Sequence, residues 1–261
     1  MTTWLLLRGW AREARHWGRF PDELRAALPG ADVRTLDLPG NGRLHERRSP
    51  ATVPGMVDAL RELQAQRGER YCLLGLSMGA MVCIDWTLRY PGEVQACVLL
   101  NTSLRPFSRF YERLRPAAYG TILRGALFEP DAARREASIL RLTSATASAD
   151  AAIAAAWAGY AHERPVSRAN VLRQLIAAAR YRVPDIARRA PVLLLAGARD
   201  RLVNPNCSAR LARAWSVPLA VHPSAGHDLT LDAGPWVAAQ VKEWLRQRGV
   251  RAADSGCASR P

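Results

Sequence analysis

The stretch Leu73 to Val82, "LLGLSMGAMV", sets one serine between two glycines directly after an apolar run. The run from Tyr71 to Leu76 has the length and composition of a buried strand, and "GAMVCIDWTLRY" from Gly79 has helical spacing. A strand that becomes a helix at once has to reverse direction, and Ser77 occupies that tight, strained corner. Such a corner raises the side chain above the sheet. Gly75 and Gly79 are expected where a side chain would collide with the neighbouring strand or helix. Met78 would be the first residue of the helix, so its N–H lacks an intrahelical acceptor and points towards whatever sits on the serine oxygen.

On both sides of this stretch, short apolar runs bounded by turn residues alternate with longer amphipathic segments, the pattern of a parallel sheet built from strand and helix repeats. The runs are "TWLLL" (Thr3 to Leu7), "DVRTLDL" (Asp32 to Leu38), "YCLLGL" (Tyr71 to Leu76), "ACVLLN" (Ala96 to Asn101), "VLLLAG" (Val192 to Gly197) and "LAVHP" (Leu219 to Pro223). Helices are expected at "PDELRAAL" from Pro21, "PGMVDALRELQAQR" from Pro54, the segment from Gly79, "CSARLARAW" from Cys207 and "PWVAAQVKEWLRQR" from Pro235. Pro21, Pro54 and Pro235 suit a first turn, where the missing N–H costs nothing. From Leu104 to Ala190 no strand-like run occurs, and alanine, arginine and leucine recur at helical spacing. A segment this long is not a loop; it reads as an insertion of about four helices over the sheet. The division expected is a core of residues 1–103 and 191–249, a helical cap of 104–190 and a disordered tail of 250–261, where "RAADSGCASRP" is small and polar.

The 261 residues are 49% hydrophobic and 23% charged, values of an ordinary globular chain able to bury a core. The formal net charge of +14 is carried by arginine, Lys242 being the only lysine. These cations run from Arg8 to Arg260 instead of clustering among aromatics, which argues against nucleic-acid binding. A basic surface attracts an acidic partner or an anionic substrate. The cysteines Cys72, Cys83, Cys97, Cys207 and Cys257 show no metal-ligand spacing, and an odd number without a framework points to a reducing compartment. The N-terminal apolar run is too short for a signal-peptide core and no run is long enough to span a bilayer, so the expectation is a cytoplasmic protein without a membrane span.

A serine hydroxyl is a poor nucleophile until a base removes its proton. Among five histidines, His227 in "SAGHDL" lies just beyond the last strand run, where a loop at the carboxyl edge of the sheet brings it over the serine. His222 is inside that run, His162 is in the insertion, and His16 and His45 stand among arginines and are expected to be solvated. An imidazole that accepts a proton needs a partner on its other nitrogen. Asp200, in "LLLAGARDRLV", follows the fifth strand run at the same edge. Asp228, next to the histidine in sequence, is expected to cap the following helix, and Asp232 is a third candidate. The order Ser77, Asp200, His227 is the one found in α/β-hydrolases.

On "GLSMG", "GARDRLV", "AGHDL", the "DLPGNG" loop from Asp37 and "LLLRGW" after the first strand, the chain resembles the α/β-hydrolase family from Trp4 to about Arg248. Within it, the chain looks like the small capped esterases related to the pimeloyl-carrier-protein methyl ester esterase. The resemblance implies a mostly parallel sheet with helices on both faces and a cap inserted after the fourth strand. The chain starts at the strand that is usually third, which leaves about six strands. It also implies an oxyanion hole of two backbone N–H groups, Met78 and Trp10. Two positions depart from the family: Arg8 stands where a histidine is common, and Asn41 makes "PGNG" of the usual "PGHG". Arg8 would either hold the oxyanion loop or bring a cation close to the substrate.

The insertion begins "SLRPFSRFYERLRP", three aromatics with four arginines. One reading packs Phe107, Phe110 and Tyr111 on the core and leaves the arginines in water; the other is a cationic collar for an acidic acyl-carrier protein or a carboxylate-bearing ester. The expected activity is hydrolysis of a small carboxylic ester through an acyl-enzyme, with no cofactor or metal. The alternatives are a thioesterase or a carbon–carbon bond hydrolase using the same residues, and a non-catalytic receptor of the same fold.

Overall fold

A computed structural model describes residues 2–64, 69–127, 129–183 and 190–248. The chain runs β1 (Thr3–Leu7), α1 (Phe20–Ala27), β2 (Asp32–Leu36), α2 (Val53–Leu63), β3 (Tyr71–Leu76), α3 (Met78–Arg89) and β4 (Val94–Leu100). Helices α4 (Phe110–Arg113), α5 (Pro116–Leu127), α6 (Ala132–Thr143), α7 (Ala151–Glu163) and α8 (Arg168–Arg180) follow. The chain then forms β5 (Val192–Gly197), α9 (Asn206–Trp215), β6 (Leu219–His222) and α10 (Leu229–Gln247).

All six apolar runs form strands, paired in parallel in the order β2-β1-β3-β4-β5-β6. Because a strand turns successive side chains to opposite faces, each run supplies two cores. Leu5, Leu7, Leu73, Leu99 and Leu194 face Met56, Leu60, Val82, Trp86 and Leu211 of α2, α3 and α9. Trp4, Leu6, Leu74, Val98 and Leu195 face Phe20, Leu24, Val237, Val241 and Trp244 of α1 and α10. Helices on both faces follow from this alternation. Cys72, Cys83, Cys97 and Cys207 are free and buried.

The strand order reverses between β1 and β3. From β1 the chain moves outward to β2 through α1 on one face; from β3 it moves the other way through α3 on the opposite face. The loops leaving β1 and β3 therefore part around a crevice at the carboxyl edge, where α/β sheets take their ligands.

Several boundaries differ from the sequence reading; the fourth run forms a strand over Val94–Leu100 instead of Ala96 to Asn101, and the last ends at His222. The second run ends at Leu36 because Asp37 turns away to accept the N–H groups of Ala14 at 2.7 Å and Arg43 at 2.9 Å. The helix expected from Pro235 starts at Leu229, but Ala233 (φ −151°, ψ 44°) interrupts it, which leaves Pro235 in the first turn of the second segment. The insertion holds five helices where about four were expected, the extra one being the single turn of α4. The end of the second predicted helix, residues 65–67, and the tail 250–261 lie outside the described residues. Among the described residues no helix is long and apolar enough to cross a membrane.

The glycine pair of the opening motif can be tested directly. A Cβ on Gly79 would stand 2.2 Å from the Leu7 carbonyl oxygen and 2.6 Å from that of Arg8, both backbone atoms that cannot swing aside. Gly79→Ala is therefore expected to cost on the order of 3 kcal/mol, an overpacking penalty with no side chain to absorb it. Gly92 has nothing within 4 Å of its Cβ position, so Gly92→Ala serves as the neutral control. Urea midpoints at constant m-value measure both.

Candidate active site

Ser77 stands between β3 and α3 with φ 58° and ψ −115°, a left-handed conformation that a residue with a Cβ adopts only at a cost of about 1–3 kcal/mol. A Cβ on Gly75 would lie 2.5 Å from the Gly79 carbonyl group, so the two glycines let strand and helix touch at the corner. The Ser77 N–H donates to the Leu100 carbonyl at 2.9 Å, which ties the corner to β4. The side chain is half-buried. Met78 opens α3, and its N–H has no acceptor within the helix.

Asp200 and His227 come together. The His227 Nδ1 lies 2.7 Å from Asp200 Oδ2, and the two residues are 4% and 1% exposed respectively. The other carboxylate oxygen of Asp200 accepts the N–H groups of Leu202 and Val203, each at 2.8 Å, so the aspartate is locked by its own turn with one oxygen left for the imidazole. The turns carrying the two residues are zipped by Arg199 N–H to Ala225 O at 2.9 Å. An imidazole oriented this way can take a proton on its second nitrogen and keep the resulting charge beside a carboxylate.

The loop after β1 reaches the serine: a Cβ on Gly9 would stand 3.2 Å from Ser77 Cβ and 3.7 Å from Ser77 Oγ. Trp10 follows Gly9 in that loop, and its indole N–H donates to the Val171 carbonyl of α8 at 2.8 Å. Gln174 of α8 is fully buried, accepts the Ala11 N–H at 2.9 Å and donates to Asn41 Oδ1 at 2.8 Å. Asn41 in turn donates to the Arg12 carbonyl at 2.9 Å. The asparagine of "PGNG" thus belongs to a clasp between the inserted helices and the loop beside Ser77. Arg12 pairs with Glu136 of α6 at 2.6 Å and lies over the Trp157 ring of α7, closing the clasp from the other side.

Several expectations about single residues are corrected. Asp228 occupies the cap position of α10 but does not cap it; its carboxylate accepts two hydrogen bonds from Arg8 at 3.0 and 2.5 Å. Arg8, 3% exposed with its guanidinium 4.9 Å from the Trp17 ring centre, is thereby neutralised and joins the β1 loop to the His227 loop instead of presenting a cation to substrate. Asp232 holds Gly226 N–H at 2.6 Å and Ala145 N–H at 2.8 Å, fastening the His227 loop to the segment after α6. His16 is buried between Trp157 and Tyr160, and burial together with the Arg12 and Arg8 charges holds it well below the usual histidine range. It is a packed neutral ring, not a solvated one.

The start of the insertion is also rearranged. Phe107 packs against Trp215, but Phe110 is 76% exposed and Tyr111 is exposed beside it. Arg113, half-buried, donates to the Ala178 and Ala179 carbonyls, while Arg105, Arg109 and Arg115 are exposed, the last also donating to the Asp200 carbonyl. Arg8, Asn41 and Gln174 owe their roles to partners far along the chain. The departures from the family pattern at positions 8 and 41 were the one signal that pointed to them.

A stretch of 102 residues is 33% identical to the biotin biosynthesis bifunctional protein BioHC of Cellvibrio japonicus, covering 39% of this chain and 19% of that protein. The match thus spans about a fifth of the length of that relative. Among solved structures, the enol-lactonase from Burkholderia xenovorans LB400 superposes with a TM-score of 0.75 at 17% identity, covering 94% of this chain and 91% of that one. The esterase RhEst1 from Rhodococcus sp. ECU1013 superposes with a TM-score of 0.73 at 19% identity, covering 94% and 90%. At these identities the likeness is one of fold. The sequence profile of the alpha/beta hydrolase family matches residues 4–240, and with a serine corner at the strand-order reversal and the parallel sheet around it, the chain belongs to that family.

Proposed function

We propose that the protein hydrolyses a carboxylic ester through a covalent acyl-enzyme. The observation that carries this reading is the His227–Asp200 pair, buried at 2.7 Å on the same sheet edge as a strained, half-buried serine. Ser77 Oγ attacks the ester carbonyl while His227 takes its proton, and Asp200 steadies the imidazolium. The tetrahedral oxyanion collapses, the alcohol leaves with the proton from His227, and the acyl group stays on Ser77. Water then enters, His227 removes its proton, and the acid is released. The backbone N–H groups of Met78 and Trp10 hold the oxyanion, a contribution of several kcal/mol where two donors are preorganised. Helices α4 to α8 form the cap that walls the acyl pocket, clasped to the core through Gln174 and Arg12. The four cysteines among the described residues, free and buried, suit a reducing, cytoplasmic setting.

The test is hydrolysis of a p-nitrophenyl ester series from acetyl to decanoyl, together with labelling by a fluorophosphonate. Turnover peaked at one chain length and a stoichiometric adduct on Ser77 support the reading and size the acyl pocket. Turnover equal in wild type and Ser77→Ala at every length overturns it.

The resemblance to the pimeloyl-carrier-protein methyl ester esterases favours a substrate whose acyl group rides on an acidic carrier protein, and the partial similarity to the biotin-biosynthesis protein BioHC agrees with it. Arg105 and Arg109 face solvent beside exposed Phe110 and Tyr111, next to an open depression also lined by Phe107, Ser108 and the paired Glu112 and Arg210. Arg113 is excluded from such a role by its backbone bonds. Arg109→Glu is expected to raise KM for a carrier-linked methyl ester about tenfold, a rim-charge effect that weakens as salt rises. The same change moves KM for p-nitrophenyl butyrate by far less. Equal KM shifts for both substrates sink the carrier reading alone.

A further inference from the structure

Three consecutive residues at the end of β4 touch the segments that carry Ser77, Asp200 and His227. The Leu100 carbonyl accepts the Ser77 N–H at 2.9 Å, and the Thr102 hydroxyl donates to the Ser77 carbonyl at 3.4 Å. Between them, Asn101 turns with φ 45° and sends its side chain the other way. Its Nδ2 donates to the Gly226 carbonyl at 2.9 Å and to the His227 carbonyl at 2.7 Å. Its Oδ1 accepts the Gly197 N–H at 2.9 Å, and its own N–H donates to the Leu195 carbonyl at 3.0 Å.

Gly197 ends β5, and the turn bearing Asp200 begins there. One amide side chain, 2% exposed, thus holds the backbone on both sides of the acid–base pair, while its chain neighbours hold the serine. The amide suits this place because it offers two donors and an acceptor at once. Two carbonyls converge on its nitrogen and one N–H on its oxygen, which a carboxylate, a hydroxyl or an aliphatic group cannot satisfy together. Asparagine also tolerates the left-handed conformation that aims the side chain at the His227 loop. A longer glutamine would overshoot both carbonyls.

We infer that Asn101 is a positioning residue for the hydrolytic reaction. It sets the distance between the Asp200 turn and the His227 loop and registers both against Ser77 through the β4 end. It touches no substrate and transfers no proton. Its effect is on the height and tilt of the imidazole, where an error of about 1 Å costs on the order of 100-fold in rate. The inference rests on the hydrolase reading of the same site.

Two variants keep the backbone conformation while removing the contacts. Asn101→Gly deletes all three side-chain hydrogen bonds and accepts φ 45° without strain. Asn101→Asp keeps the shape and the acceptor for Gly197 but sets an oxygen against the Gly226 and His227 carbonyls. Both are expected to lower kcat by about 10- to 100-fold with KM for p-nitrophenyl butyrate within about twofold of wild type. The rate of fluorophosphonate labelling of Ser77 should fall in parallel. Assays are run well below each variant's melting temperature, and kcat is expressed per folded molecule.

A loss confined to kcat in either folded variant supports the proposal. Wild-type kcat per folded molecule, or a loss shared equally by kcat and KM, overturns it and leaves Asn101 a fold-stabilising residue. Failure of the underlying reading looks different: the wild-type protein itself then shows neither ester turnover nor a Ser77 adduct.

Discussion

Ser77→Ala is expected to lower kcat for the best p-nitrophenyl ester by roughly 10⁵-fold or more, while the protein keeps its fold. The size follows from what the hydroxyl does in the proposed reaction. Without it no acyl-enzyme forms, and the remaining machinery can only assist direct attack by water. Its residual contribution, from the N–H donors and from substrate binding, is on the order of 10³- to 10⁴-fold over the uncatalysed rate. His227→Ala should fall to a similar floor, because an unactivated hydroxyl is nearly as inert as none. Asp200→Asn should lose about 10⁴-fold, since the amide would present the wrong hydrogen-bonding partner to Nδ1. The three losses are not additive, so the triple variant should be scarcely worse than Ser77→Ala. Summed losses instead would mean that the residues do not act as one unit. Ser77→Ala keeps the Cβ and with it the backbone strain at φ 58°, so its urea midpoint should stay near that of the wild type.

Most of this site was legible because its components are local. A strand buried on both faces must be a short apolar run, so "TWLLL", "YCLLGL" and "VLLLAG" announced β1, β3 and β5, and the serine corner was written into the glycines around it. Asp200 and His227 could be placed because residues just past parallel strands share one edge whatever the helices do. What could not be read were pairings that depend on side-chain direction across long sequence separations. Asp228 sits in sequence where a helix cap belongs, but its carboxylate lies beside Arg8, separated from it by 220 positions. Asn101 looks like the last residue of a strand run, and only the left-handed turn shows that its amide reaches the His227 loop. The insertion misled for a related reason. The aromatic–arginine alternation of "SLRPFSRFYERLRP" suits either face outward, and backbone carbonyls of α8 and of the Asp200 turn hold the guanidinium groups of Arg113 and Arg115, the latter from an exposed position.

Arg8→Met is expected to destabilise the protein by about 3–5 kcal/mol at neutral pH, the usual cost of removing one member of a buried ion pair and leaving the other charge unpaired. Both side chains are at most 4% exposed, so solvent cannot take over the role of the lost guanidinium. Burial alone would raise the Asp228 carboxyl; the Arg8 charge and its hydrogen bonds, helped by His227 and Arg12, outweigh that and hold it below the usual aspartate range. The sign of the pH dependence follows. A carboxyl whose folded value lies below its unfolded value of about 3.9 contributes stability that is complete above that value and is lost as pH falls through the folded one. In Arg8→Met the relation reverses: Asp228, still buried but unpaired, binds its proton more tightly folded than unfolded, so the variant is hurt most at neutral pH and recovers in acid. The stability gap between the two proteins should therefore be widest near pH 7 and shrink by more than half near pH 3, read from urea midpoints at each pH. The double variant Arg8→Met with Asp228→Leu should regain most of the neutral-pH loss, since it buries no orphaned charge. A gap that stays constant with pH would mean that Arg8 acts through its packing on Trp17 instead of its charge. Because the pair also joins the loop after β1 to the loop bearing His227, ester turnover of the double variant is expected to fall about tenfold even where its stability returns.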